Sequence, residues 1–352
     1  MSGNGVLRLF LVFLSCFAII FCNAAEIIKK DTFFNYFESK GTADYFLSDG
    51  GELELVPEAP QKTESEPQKT ESSSKAESTA DTSSKQTSAE AVKGKILSQY
   101  ISPYNAPLSY NGVYMKNSTD LKIDIKALLG AKLGFKIEKN SQPQVLILHT
   151  HATETFMQTD NDYYTADFSS RTKDTSKNMV KIGSIVAEKL NSAGIKTLHD
   201  KTLHDSPQYS GSYSRAAETI CSYLKKYPSI KIVLDLHRDA VTSGNDKVKL
   251  VTEIEGKKAA QVMLVMGSQS GSVTNFPKWQ ENLKLALRLQ QILEIKFPTL
   301  ARPLSLMPKN YNQSLTTGSL LLEFGTDANT LTEACFSAEL VGEALVSLLN
   351  TL

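Results

Sequence analysis

An excess of charge of either sign is missing from this chain: 38 basic and 38 acidic residues cancel. Without a basic surplus to neutralise phosphates, nucleic acid is excluded as the main partner. Cysteine is scarce, with four in 352 residues and no C-x-x-C pair, which rules out a zinc ribbon. Cys16 and Cys22 fall in an apolar N-terminal run. Cys221 and Cys335 fall inside helical patterns and read as small core residues, a disulfide between them being the lesser alternative. The signatures of serine and cysteine hydrolases are lacking too. The one glycine-framed candidate, residues 267–271, has Gln269 where a nucleophile should stand, and neither mid-helix cysteine is placed to attack. Histidine is the informative scarcity. There are five, His149, His151, His199, His204 and His237, and none in the first 148 positions.

What is present is organised in segments. Residues 9–22 form an uncharged apolar run after Arg8, which reads as an export signal. The run continues through Ala25 and approaches the length needed to span a bilayer, so a retained single-pass anchor over residues 1–25 is preferred to cleavage after Ala24. Either reading puts the rest of the chain outside the cytoplasm, and the first puts it on the cell membrane. Residues 26–56 carry Phe33, Phe34, Tyr36, Phe37, Tyr45 and Phe46 and suit a membrane-proximal segment of undefined structure. Residues 57–94 are rich in Ser, Thr, Glu and Lys and cannot build a core, so they read as a disordered linker. A flexible coil of about 35 residues spans roughly 30–35 Å on average.

Residues 95–141 lead into a region of different texture, residues 142–352. Residues 145–148 and 231–236 are continuous apolar runs, the mark of strands buried on both faces, and 319–323 reads as a final strand. Residues 196–198 suggest a further strand, and 248–253 with 261–266 suggest a hairpin about Glu255-Gly256. Met179, Ile182, Val186 and Leu190 recur at helical spacing before Gly194, a stop signal. Further helices fit residues 211–226, 280–296 and 331–349. Strands alternating with helices predict an α/β fold: a mainly parallel twisted sheet flanked by helices, in one domain.

Polar clusters follow three of the buried runs: His149-Thr150-His151 with Glu154 after Leu148, His237-Arg238-Asp239 after Leu236, and Glu323 with Asp327 and Asn329 after Leu322. In a sheet of this type, sites gather at the carboxyl ends of strands, so all three open onto one edge. Two imidazoles and a carboxylate there suit a catalytic zinc ion that keeps one position for water. Taken singly each signal is weak. His-x-His can be a pair of ordinary loop histidines, and His237 a satisfied core residue. Glu323 could be held in a salt bridge to Arg238 or Arg215, because a buried carboxylate must be paired or do chemistry. The weight lies in the repetition at three equivalent places. His199 and His204, with Tyr209, Tyr213, Tyr311 and Trp279, either line a groove or simply pack.

The strings HTHATETF (149–156), YSGSYSRAAETI (209–220), VLDLHRDA (233–240) and NYNQSLTTGSLLLEFGTDAN (310–329) resemble the stage II sporulation protein P family. Within a broader group, their order resembles the zinc N-acetylmuramoyl-L-alanine amidases. The resemblance implies an amidase-like catalytic domain over residues 142–352. It implies hydrolysis of the amide joining N-acetylmuramic acid to L-alanine in peptidoglycan during sporulation engulfment. It also implies cleavage of stem-peptide cross-links, and stage II sporulation proteins D and M as partners. It places zinc on His151 and His237, with Glu154 or Asp174 as the third ligand and His149 able to replace either acid. Glu323 is then the catalytic base, and Arg215, Arg238, Asn312 and Gln313 are substrate-binding candidates. The competing reading is a catalytically inactive wall-binding module on the same fold.

Overall fold

A computed structural model of the chain describes residues 91–352. The anchor, the aromatic segment 26–56 and residues 57–90 of the linker lie outside the described residues. In chain order the first strands are β1 (Val92–Gln99), β2 (Leu108–Tyr110), β3 (Val113–Asn117), β4 (Val145–Leu148), β5 (Tyr163–Thr165) and β6 (Thr197–His199). They are followed by β7 (Ile232–Asp239), β8 (Thr242–Ser243), β9 (Asp246–Ile254), β10 (Lys257–Ala260), β11 (Val262–Gly267), β12 (Leu304–Met307) and β13 (Ser319–Thr326). The helices are α1 (Ile125–Gly130), α2 (Met179–Ser192), α3 (Ser212–Lys226), α4 (Trp279–Lys296) and α5 (Leu331–Leu349). None of the described helices is long and apolar enough to cross a membrane.

Eight strands form the main sheet in the order β2-β3-β12-β11-β13-β7-β4-β6. Alternation along its strands divides the core. Val145 and Ile147 of β4, Ile232, Leu234 and Leu236 of β7, and Leu320, Leu322 and Phe324 of β13 face α2, α4 and α5. Leu146, Leu148 and Val233 face the opposite way, under Ala216 and Ile220 of α3. Each such side chain, fully buried, contributes about 1.5–3 kcal/mol. Local signals fix the helix ends. Asn178 caps α2 by accepting from the Val180 N–H, and Thr330 and Glu333 form a reciprocal capping box on α5.

The main sheet is mixed: five of its seven strand pairings are parallel and two are antiparallel. β6, β4, β7 and β13 run parallel to one another, but β11 is antiparallel to β13, and β2 is antiparallel to β3. The cause is the arm that precedes β11. Glu255 and Gly256, both at positive φ, make the tight turn, but it joins β9 to β10 rather than to the strand at 262–267. After Ala260 the chain leaves that hairpin at Gln261. The Gln261 side chain is held by the Ile101 N–H and C=O and the Thr299 C=O, and β11 then enters the main sheet. The hairpin belongs to a second sheet, ordered β10-β9-β1-β5 with β8 on β9. Residues 92–94, linker by composition, open β1 of this sheet. Cys221 and Cys335 are thiols, not a disulfide.

One irregularity bears on the site. The pairing of β13 with β7 shifts register between Glu323 and Thr326, at Gly325, whose φ is 65°. Any Cβ there would meet Asn329 Oδ1 at 2.6 Å and the Ala260 Cβ at 2.7 Å. Asn329 is needed where it stands: it accepts from the Thr326 N–H and donates to the Leu250 C=O and Glu333. Gly325→Ala is therefore expected to cost about 2 kcal/mol or more and to lower the melting temperature by roughly 4–8 °C. A thermal denaturation curve that matches the parent would contradict this account of the bulge.

Candidate metal centre

The site grows from three neighbouring parallel strands. β4, β7 and β13 lie side by side, so the chain leaves them at one edge of the sheet. After β4 it turns so that the Glu154 N–H donates to the His151 C=O, which puts both side chains on one tight turn. β7 and β13 do not stop where the apolar runs stop. They stay paired to Asp239 and Thr326, so His237 and Glu323 sit within their strands, as direct register partners.

His151, Glu154 and His237 each offer one donor atom, and the three atoms lie within 4.8 Å of one another. All three residues are buried. Nδ1 of His151 is 3.6 Å from Glu154 Oε1, and Nδ1 of His237 is 3.7 Å from Glu154 Oε2. The imidazoles stand nearly perpendicular, with centroids 5.1 Å apart. Their outer nitrogens are held from behind. His151 Nε2 hydrogen-bonds Ser212 Oγ at the start of α3, at 3.1 Å. His237 Nε2 approaches Asp235 Oδ1 at 2.9 Å, an ionic contact lying off the hydrogen-bond direction. Asp235 is itself fixed by the Thr150 N–H and hydroxyl. A carboxylate behind an imidazole whose other nitrogen faces a cluster of donors is the supporting arrangement of a metal ligand.

The electrostatics agree with a site built for positive charge. Burial would lower the pKa of His237, but the Asp235 charge and contact, then Glu154 and Glu323, raise it to about 10. Burial would raise Glu154, yet His151, Arg238 and His237 hold it well below the usual carboxylate range. Burial pushes Asp235 up, while His237 and Thr150 bring it down to about 2. The acids thus keep a proton on His237 that a divalent ion would displace. Glu323 differs. It is only half-buried by exposed area, but its Oε2 is out of contact with solvent and has no hydrogen-bond partner. Burial raises its carboxyl to about 8 against the pull of His237, with Asp239 and Glu154 adding to the rise.

Aromatic rings wall the cluster. Tyr209 stacks on His151 with centroids 4.6 Å apart, and Tyr213 meets it edge-on at 5.5 Å. The Arg171 guanidinium lies 4.3 Å over Tyr209, with Nη2 3.8 Å from Glu154 and Nη1 2.7 Å from Asp205. Sequence reasoning missed Arg171 and Ser212, which nothing local marks. It also missed Asp235, although a carboxylate inside a buried strand, two residues before a histidine and so on the same face, was a usable signal.

The other candidates are placed elsewhere. Asp174 is exposed, held by the Ser176 N–H and hydroxyl and by Lys177, and is not in the cluster. Counting back from Asn178 misleads because Glu154 already reaches the histidines from its own turn, and its C=O takes the Met179 N–H that opens α2. His149 is wholly buried and faces the other way. Its Nδ1–H donates to the Leu236 C=O, and its Nε2 accepts from His199 Nε2 at 2.9 Å, beside Gly183, where a Cβ would collide with both rings. His204 is buried between the His149 C=O and Thr219. Arg215 donates to the carbonyls of His204, Gln208 and Ser210. Arg238 donates to those of Thr155, Asp239 and Ser170. Asn312 donates to the Tyr213 C=O, while Gln313 takes the Gly267 N–H and donates to the Val265 C=O. All four side chains thus brace backbone: Arg215 and Arg238 chiefly in loops, Asn312 in α3 and Gln313 in β11.

Two outcomes follow from this geometry. Asp235→Asn keeps the volume but removes the charge behind His237, so affinity for a divalent ion should fall by about 10–100-fold, read by competition with a chelator. Unchanged affinity would contradict the role given to Asp235. Burial, with the neighbouring imidazole, holds His149 at about 3, and burial with Lys201 holds His199 at about 4. The unfolded chain takes up protons on both near their ordinary value of 6.5, whereas the folded chain refuses them. Their contribution is therefore present above pH 6.5 and lost as pH falls toward 4. His199→Gln should remove part of this term and shift the change in stability between pH 7 and pH 5 in the favourable direction. Urea denaturation at the two pH values checks it, and an unaltered difference would refute the assignment.

Known proteins bear on the chain as follows. The curated stage II sporulation protein P of Bacillus subtilis (strain 168) is 30% identical over 202 residues, 54% of this chain and 47% of that protein. The chain thus spans about half the length of that relative. Among solved structures, the CwlD amidase from Clostridioides difficile in complex with the GerS lipoprotein is 13% identical. That match covers 59% of this chain and 97% of that one, with a TM-score of 0.37. The apo N-acetylmuramyl-L-alanine amidase Ami1 from Mycobacterium abscessus is 13% identical over 59% of this chain and 99% of its own, with a TM-score of 0.35. Likeness at that level is too slight to fix fold or chemistry. The family described as stage II sporulation protein P (SpoIIP), by contrast, matches residues 24–346. The chain therefore belongs to the stage II sporulation protein P family.

Proposed function

We propose that the chain is a zinc-dependent peptidoglycan hydrolase that cleaves the amide between N-acetylmuramic acid and L-alanine during sporulation, held at the cell membrane by its N-terminal segment. The observation that carries this reading is the convergence of His151, Glu154 and His237 within 4.8 Å, with Glu323 in register beside His237. Two neutral imidazoles and one carboxylate are the donor set of catalytic zinc sites that leave a position open. Zinc, when bound, supplies Lewis-acid polarisation of a carbonyl and a more acidic water. The protein's own part is proton handling and orientation. Glu323, whose free oxygen faces no competing donor, takes a proton from the attacking water and returns it to the leaving nitrogen. Its raised carboxyl, drawn back toward neutrality by a nearby divalent charge, suits both halves of that transfer. Ser212 and Asp235 keep the two imidazoles turned toward the ion throughout. Family membership supports the sporulation setting. Cleavage of cross-links at the same site, and stage II sporulation proteins D and M as membrane partners, are extensions of the same proposal.

Glu323→Gln is expected to keep about one zinc per chain by elemental analysis while losing about 10²–10⁴-fold in turnover of purified sacculi. Mass spectrometry of the products, with and without chelator, separates the outcomes. Stem peptides released with a free L-alanine amine support the amidase. Opened cross-links alone would indicate an endopeptidase, and near-parental turnover by the variant would remove Glu323 from the mechanism.

A further inference from the structure

Beside the metal centre lies a cavity of about 450 Å³, walled by the segment that runs from Thr155 to Lys177. Its size is in the range of small-ligand sites. Two of its walls are aromatic: Tyr163, 40% exposed, and Phe168, half-buried and braced edge-on by Tyr164 at 6.2 Å. Gln158 and Asn161, both exposed residues, line the cavity too, and the Gln158 amide is steadied by donating to the Phe156 C=O at 2.9 Å. The cavity also touches the metal centre. Arg171 lines it and reaches to within 3.8 Å of Glu154, and Thr155, the residue after that ligand, lines it as well.

The chemistry of this lining favours one ligand class. The cations in the wall are already matched, Arg171 by Asp205 at 2.7 Å and Lys177 by Asp174 at 3.4 Å, so a charged ligand gains little from them. A pyranose is neutral. Its C–H face carries slight positive charge that packs on the negative face of an aromatic ring, and its hydroxyl and acetamido groups pair with amides. A stem peptide, with its carboxylates, finds no uncommitted cation there. We propose that this cavity is a saccharide subsite that takes an N-acetylated amino-sugar unit of the glycan strand next to the amide being cut. This rests on the amidase reading and adds to it that glycan, rather than peptide, is gripped on the Arg171 side of the metal centre.

The test is calorimetric titration of the full-length protein with chitotetraose, which has sugars and acetamido groups but no peptide. The parent should bind it. Tyr163→Ala should weaken binding about tenfold or more through loss of the stacking face, and Asn161→Ala should weaken it as well. Tyr110→Ala, at an equally exposed tyrosine outside the cavity, should leave it unchanged. Absence of binding up to millimolar sugar, or parental affinity in both cavity variants, would overturn the proposal. So would a stem peptide whose binding is lost in those variants. Because binding is read without turnover, sugar binding by a protein that releases nothing from sacculi would sink the amidase and leave the saccharide site standing.

Discussion

The parallel pairing of β7 with β13 sets His237 and Glu323 side by side on one face of the sheet, and the chemistry proposed for this molecule depends on that register. A slip of one residue in β7 would bring Leu236 or Arg238 to the site and send the imidazole into the helical core. The apolar alternation on the far face prevents this, because Leu234 and Leu236 on β7 and Leu322 and Phe324 on β13 must meet α2, α4 and α5. Packing that looks generic is therefore what aims the reactive groups. The bulge at Gly325 then releases β13 from strict register just beyond Glu323, and Asn329 fills the gap.

Around that register the buried charges balance one another. Asp235, Glu154 and Glu323 crowd His237, and an isolated set of acids so deeply placed would be costly. With no ion the compensation comes from a proton on His237 and from the Arg238 N–H on Glu154. A divalent ion at the same point would do it better, since it meets all three donors at once. The long polar side chains nearby serve a different need. The segments around the site that are neither helix nor strand have carbonyls without ladder partners. Arg215 and Arg238 supply partners to them.

Much of this was legible in the amino-acid sequence, and the rest was hidden for identifiable reasons. The runs at 145–148, 231–236 and 319–323 announced central strands because both of their faces are buried, and α5 carries its N-terminal boundary in Thr330 and Glu333. Of the second sheet only β9 was visible, as the strand at 248–253. β1 buries only Ile96, so its sequence shows no alternation and blends into the polar linker before it. The hairpin turn at Glu255-Gly256 was readable, but its partner strand was not, since β10 and β11 are separated by one residue, Gln261, that switches sheets. At the site, His151, His237 and Glu323 were readable from their positions after apolar runs. The choice of Glu154 over Asp174 was readable only in part: the tight turn that lets Glu154 reach His151 is local, but which loop folds back over the histidines is not. Nothing local in the sequence tells a guanidinium that braces carbonyls, as those of Arg215 and Arg238 do, from one left open to a substrate, since it can serve several acceptors wherever they stand.

What surrounds a bound ion decides whether His151, Glu154 and His237 form a metal centre. X-ray absorption at the zinc edge, on protein loaded with one equivalent, reports this without reference to catalysis. Two nitrogen scatterers and protein-derived oxygen near 2.0–2.2 Å, with the imidazole signal lost on replacing His151 and His237, is the predicted result. A sulfur shell, or an imidazole signal that survives those replacements and vanishes with His149 and His199, would contradict it.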